Sequence, residues 1–413
     1  MEVDEKNIKF VGIKLKIKLE AQMPMIHFQS RHIGATLRAS EVKPKLDRFI
    51  IDSLQRKDKL IDCEVVKKQH RDIFNNPETN DALDYKMQVI DEKPEQIDLE
   101  EYKIFYGNMG LNDDEKKYGI LSNPEITIIC FNKKLQALIE QNIEKFFILT
   151  NFGTMQNKGF GSFVPTEWLK RHNNVGKIHN EVGKYFKESI ENSKCFVQVL
   201  PLEKGMEGIS KFIKDFYSVM KSGYNDGKGK YARSYIYQYM HNEHNIHNEK
   251  AWMKKNQIAP ACVSSKRKLP LVIENNRKDK DIEHYYVRAF LGIGNAVEFG
   301  TDYNEKGFIS KPVRIEIKSE ELDRVSSPIL FKVINNFVYI AAKPVPSELY
   351  GKKFEFVNVK SKENGELSVP KKEFDVQDFL EKYIEYFNGE LKEKVKVKDF
   401  KNYNEIKEVK INE

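Results

Sequence analysis

Apolar and polar residues alternate from Val11 to Leu19 (Val11, Ile13, Leu15, Ile17, Leu19), which predicts a half-buried strand. A polar segment with Gln29, Arg31, His32 and Gly34 follows. The period then changes: Val42, Leu46, Phe49 and Ile50 share one side of a predicted helix, with Ser40 as N-cap and Glu41 in the first turn. Residues 60 to 95 read as strand fragments broken by the polar stretch Asn75 to Asp81. Beyond them, Glu125 to Phe131 reads as a strand, Leu135 to Ile143 as a short helix and Phe146 to Leu149 as a second strand. That strand runs into a glycine-rich segment from Gly153 to Gly161. A strand at Cys195 to Leu200 and a helix from about Ile209 to Met220 follow, so the element order is compatible with a ferredoxin-like α+β sheet.

From Lys221 to about Lys280 the chain is lysine-rich, with a glycine turn at Gly223 to Gly229 and a polar-aromatic helical stretch from Tyr231 to Trp252. A charged loop from Asn275 to Asp281 closes it, and the whole reads as an insertion or small helical subdomain. Strand patterns return at Val313 to Ile317, Ile329 to Val333 and Phe337 to Ala342. Phe374 to Phe387 reads as a helix, with the tail beyond it too charged to pack tightly. The expected division is an N-terminal domain over 1–200, the helical insertion over 201–280 and a C-terminal half over 281–413.

Charge changes this picture only a little. Lys and Arg number 69 against 62 acidic residues, a formal net charge of +7, which permits a nucleic-acid partner without demanding one. The 19 tyrosines, 26 phenylalanines and many lysines and asparagines would also suit an AT-rich genome, so composition alone does not select RNA. Cys63, Cys130, Cys195 and Cys262 stand singly, which suggests neither a zinc ribbon nor a disulfide framework. With no leader pattern and no bilayer-length apolar run, a soluble cytoplasmic protein without cofactor or metal is expected.

The sharpest local signal is Asn151 to Phe163, where Gly153, Gly159 and Gly161 permit close backbone approach. Their N–H groups could cradle a phosphate, Lys158 adds charge and Phe160 a stacking face, although a tight turn with structural glycines reads equally well. The segment is neither a P-loop nor a dinucleotide fingerprint. Arg31, His32, Arg38, Lys43, Lys45 and Arg48 form a second basic set, with Lys45 and Arg48 on one helix face. The insertion contributes Lys228, Lys230, Arg233, Tyr235, Tyr237 and Tyr239, and later Lys266, Arg267 and Lys268, a mixture that could stack bases while holding the backbone, although the tyrosines equally well anchor the subdomain. His241, His244 and His247 are spaced by three residues, without an HExxH pattern.

The run from Gly153 through Lys158-Gly159-Phe160-Gly161-Ser162 resembles the glycine-rich loop of the RAMP superfamily of CRISPR-associated proteins. Gly34 to Lys43 resembles the loop leading into their first helix. Asp323 to Phe331 is similar to a stretch in the target-capping subunit of type III effector complexes. The resemblance implies tandem ferredoxin-like, RNA-recognition-motif-like RAMP domains. It implies a non-catalytic subunit contacting guide or target RNA beside other effector proteins, away from membranes. By it, Lys158 and the backbone of Gly159 and Gly161 meet phosphates, Phe160 packs or stacks, and Arg31, Arg38 and Lys43 line the same surface. An alternative is a metal-independent endoribonuclease processing precursor guide RNA, with His27 or His32 as general base. A third is a protein-interaction scaffold of the same fold.

Overall fold

The computed structural model describes residues 8–26, 36–60, 62–100, 118–190, 193–225, 231–253, 283–299, 303–304, 307–308, 313–322, 324–392 and 400–411. His27, Arg31, His32 and the charged loop at 275–281 lie outside the described residues.

The N-terminal alternation forms β1 (Lys14–Ala21), which buries Leu15, Ile17 and Leu19 and turns Lys14, Lys16 and Lys18 to solvent. Helix α1 (Ala39–Asp58) has Arg38, in extended backbone conformation, at its N-cap position rather than Ser40, which lies two residues further on, inside the first turn. It buries Val42, Leu46, Ile50, Ile51 and Leu54. The region expected as strand fragments contains α2 (Cys63–Gln69), started by the Asp62 carboxylate, which accepts the Val65 N–H at 3.0 Å. The next strands of the same sheet are β2 (Lys86–Ile90) and β3 (Glu125–Ile129), with a separate antiparallel pair, Glu95–Asp98 and Tyr118–Leu121, between them in the chain.

Helix α3 (Lys133–Leu149) absorbs the segment expected as a strand at 146–149. Its last turn is apolar all round because it serves two cores. Phe146 and Phe147 pack into the cluster of β1, α1 and β3, whereas Ile148 and Leu149 pack with Trp168, Val182 and Phe186. The strand β4 (Phe163–Pro165) completes an antiparallel sheet in the order β2-β3-β1-β4. This is a β-α-β-β-α-β chain order in which the two helical connections each cross an intervening strand.

The pattern recurs. After α4 (Thr166–Arg171) and α5 (Val175–Ser189) come β5 (Cys195–Val199) and α6 (Gly205–Lys221). In a third sheet, β6 (Ala296–Phe299) and β7 (Val313–Lys318) precede, and β10 (Lys353–Asn358) and β11 (Asn364–Ser368) follow, the hairpin β8 (Ile329–Ile334) and β9 (Phe337–Ala342). Beyond α9 (Val376–Tyr386) lies β12 (Lys407–Glu408). The second sheet has the order β8-β9-β5-β12, the same arrangement as the first, and β5 pairs antiparallel with both β9 and β12. Two expectations are corrected here. The strand at 195–199, assigned to the N-terminal domain, is internal to the second sheet, so the boundary at 200 divides that sheet. The charged tail does pack: Ile406 and Val409 are buried either side of β12.

The chain forms two units. One comprises residues 1–213, 330–341 and 404–413 and carries the first two sheets. The other comprises 214–329 and 342–403 and carries the third sheet with α7 (Tyr235–His244), α8 (Glu249–Met253) and α9. The helical stretch expected at 231–252 is thus two short helices, separated by His247–Asn248, which pairs in parallel with His284–Tyr285. Among the described residues no helix is long and apolar enough to cross a membrane.

Candidate nucleic-acid interface

The glycine-rich segment closes on itself as a hairpin. Asn151 bridges Ser162, and the Phe152 N–H donates to Gly161 O at 3.0 Å. Three glycines adopt positive φ here: Gly153 at 77°, Gly159 at 82° and Gly161 at 61°. Their N–H groups are already used within the fold. Gly153 donates to Glu41 Oε1 at 2.7 Å, Gly159 to Gln156 O at 3.2 Å and Gly161 to Pro24 O at 2.9 Å. The expected phosphate cradle at Gly159 and Gly161 is therefore not formed in this structure. Phe160 is 2% exposed, so of packing and stacking it does the first. Lys158 is half-buried, and burial pulls its ammonium below the usual lysine range.

The first helix holds the hairpin in place. Lys45 Nζ donates to Glu41 Oε1 at 3.0 Å, Asn151 O at 3.1 Å and Gln156 Oε1 at 2.8 Å, and lies 4.7 Å from the centre of the Phe152 ring. The expected shared phosphate face of Lys45 and Arg48 does not exist, because Lys45 turns inward while Arg48 points out and pairs with Asp52. Lys43 is also drawn in. Its ammonium donates to Asp47 Oδ2 at 2.7 Å and Leu83 O at 3.0 Å and sits 4.3 Å from the Tyr85 ring centre. Of the described basic residues expected to meet RNA, Arg38 and Arg48 are left exposed, while Lys43, Lys45 and Lys158 are half-buried.

Arg48 and Lys86 stand with Lys43, Ile51, Asn75 and Asp81 around a groove of about 690 Å³. Asp47 and Tyr85 lie beneath it. Burial pushes the Asp47 carboxyl up against the opposing pull of Lys43, and pushes the Tyr85 hydroxyl well up. Sequence reading passed over Tyr85 and Lys86, because they follow a loop whose fold depends on contacts with α1.

In the other unit, helix α7 sorts its tyrosines by face. Tyr235 packs on Phe379, Tyr383 and Tyr386, and Tyr239 is buried against Phe374 and Phe379 and donates to Asp378 at 2.7 Å. Those two anchor the helix. Tyr237 faces elsewhere, and a half-buried row runs through it. Arg233 donates to the Tyr237 hydroxyl at 2.8 Å with its guanidinium 4.8 Å from the ring centre. His241 stacks on Tyr237 at 5.5 Å and 12°. His247 meets His241 at 4.9 Å, and His284 meets His247 at 6.0 Å, both edge to face. Two separate sequence signals, the tyrosine run and the histidine triplet, thus belong to one surface; the spacing 233, 237, 241 was the available clue. His244 is not in the row and lies instead against Tyr239.

Comparison with curated proteins gave no significant match. A crystal structure of Cmr1 from Pyrococcus furiosus (apo form) matches at 12% identity over 80% of this chain and 87% of that chain, with a TM-score of 0.39. A chain of the Type III-B Cmr-beta cryo-EM structure, bound to cognate target RNA, matches at 12% identity, with a TM-score of 0.24. That match covers 37% of this chain and 58% of the other. The family models are more decisive: the Cmr1 N-terminal domain matches residues 12–224, and the Cmr1 C-terminal domain matches residues 231–408. The first match alone covers more than half the chain, and the second begins beyond the boundary expected at 200. The RAMP resemblance read from the glycine loop therefore holds, and this chain, an α+β protein of antiparallel sheets and helices, belongs to the Cmr1 family.

Proposed function

We propose that the chain is a non-catalytic subunit of a type III CRISPR effector complex that contacts guide or target RNA and docks beside other effector proteins. The observation that carries this reading is the succession of both Cmr1 domains along one chain. The repeated strand order, 2-3-1-4 in both the first and the second sheet, supports a tandem of ferredoxin-like domains related to the RNA-recognition motif. On this reading the grip is mainly electrostatic and comes from exposed cations such as Arg38 and Arg48, while the glycine hairpin is a structural support.

Filter retention of single-stranded repeat RNA in EDTA across a salt series tests this. Affinity is expected to fall linearly on a log–log scale, with Arg38→Gln and Arg48→Gln each reducing the slope by about 0.7, as for one single-strand phosphate contact. Lys158→Ala is expected to leave the slope unchanged. Specific cleavage without metal would instead support the endoribonuclease reading at His27 or His32. Weak binding with little salt dependence would leave the scaffold.

A further inference from the structure

We propose that the outer face of the first sheet carries an unpaired RNA strand, with Lys14, Lys16, Lys18 and Lys86 along its phosphates and Phe131 stacked on one of its bases. The proposal rests on the RNA-contacting reading and assigns to it a surface apart from α1, the helix that bears Arg38 at its N-cap position and Arg48 in its second half.

One face of this sheet is occupied by the core. Strands β1 and β3 bury Leu15, Ile17, Ile126 and Ile128 in the cluster that also holds the apolar sides of α1 and α3. By the period of two, the residues between them turn the other way. The register sets Lys86 and Lys14 on either side of Ile129, and sets Lys18 beside Glu125. Lys14, Lys16, Lys18 and Lys86 are all exposed, so no layer of the described residues covers them.

Charge selects the occupant. Lys14, Lys16 and Lys18 stand at every second residue of one strand, about 7 Å apart. Successive phosphates of an extended single strand repeat at a similar spacing, so a column of point charges suits them better than it suits an irregular protein surface. Among the described residues, Lys14, Lys18 and Lys86 form no side-chain hydrogen bond or ion pair, whereas Lys16 pairs with Glu125 at 2.7 Å. That bond, with Lys18 and Lys14 adding to the pull, holds the Glu125 carboxyl below the usual carboxylate range. The face therefore already stabilises one anion at its centre. Glu20, the last outward residue of the alternation, ends the basic column on that side. Phe131 follows Ile129 by two residues and is 76% exposed. A ring so open serves no core, and beside lysines it offers a base the kind of platform that sequence-tolerant single-strand sites use.

The test is retention of an unstructured single-stranded RNA by the full chain across a salt series, with poly-glutamate as a second probe. Lys14→Gln and Lys18→Gln are expected to lower the log–log slope by about 0.7 each. Phe131→Ala should weaken binding about tenfold at a fixed salt concentration and leave the slope unchanged, while Phe131→Tyr binds as wild type does. Glu125→Gln, which removes the anion from the face, should strengthen binding. The lysines and Phe131 are exposed, so urea midpoints are expected to match wild type throughout. If Arg38→Gln lowers the slope while the lysine and Phe131 variants bind as wild type does, the face is overturned and the RNA-contacting reading stands. If the lysine variants lose poly-glutamate and keep RNA, the face docks an acidic protein and its assignment to RNA is overturned. If wild type retains no RNA at low salt, the RNA-contacting reading itself falls, and this surface with it.

Discussion

Lys332→Ala is expected to lower the stability of the chain by about 4 kcal/mol, read as a shift of the urea midpoint in the transition of the first unit. Lys332 lies in the middle of β8 with no exposed surface. Its Nζ lies within hydrogen-bonding distance of four acceptors, which share its N–H groups: Phe147 O at 2.7 Å, Thr150 O at 3.1 Å, Phe163 O at 3.1 Å and Asn151 Oδ1 at 3.3 Å. Two of these acceptors belong to the C-terminal end of α3, where helix geometry leaves carbonyls without intrahelical partners and the helix dipole is negative. The other two belong to the strands of the glycine hairpin. One cation therefore satisfies the end of a helix and both legs of a loop, at a position where water cannot substitute. Burial pulls its pKa well below the lysine range, as a charge without a carboxylate partner requires. Truncation leaves four acceptors without this donor and also opens a cavity. Lys332→Met, which keeps most of the packing, is expected to lose about half as much. A loss below about 1 kcal/mol for alanine would mean that these carbonyls find other donors, and the lysine would not be the support described.

Such a residue explains what the sequence could and could not reveal. β1 was legible because one of its faces meets a core and the other meets water, so the alternation of Leu15, Ile17 and Leu19 with lysines carries the answer locally. The end of α3 was not, because Phe146 to Leu149 face two cores at once and a helix buried on both sides has no period to read. β12 was hidden in a charged tail: a two-residue edge strand needs only Ile406 and Val409 to hold it, and its partner β5 lies about two hundred residues away. The glycine segment was located correctly and its family likeness holds. The donors of Gly153 and Gly161 were not legible because Glu41 and Pro24, which take them, are brought there by tertiary structure, whereas Gly159 donates locally to Gln156 O. Lys158 and Lys43 stand out as charges in the sequence, yet burial and internal partners determine where their ammonium groups point.

Gly161→Ala is expected to cost about 4 kcal/mol, while Gly12→Ala, at nearly the same φ, costs about 1 kcal/mol. The contrast separates backbone conformation from space. Gly12 has φ of 64° with nothing within 4 Å of where a Cβ would lie, so alanine there suffers only the left-handed penalty. At Gly161, φ is 61° and a Cβ would fall 2.0 Å from Phe152 O and 2.8 Å from its carbonyl carbon. The hairpin cannot give way cheaply, because Phe152 and Gly161 are hydrogen-bonded across it and the Gly161 N–H is held by Pro24 O. Phe152 itself is fully buried among Phe146, Phe147 and Phe163. Relief would therefore require moving the aromatic core or breaking both bonds. Urea midpoints of the two variants against wild type measure the difference, and RNA retention at a denaturant-free temperature well below both transitions supplies the second reading. If the glycines serve packing, Gly161→Ala should lose stability while the folded protein retains its affinity. An affinity loss at full stability would mean instead that the hairpin backbone itself meets the RNA.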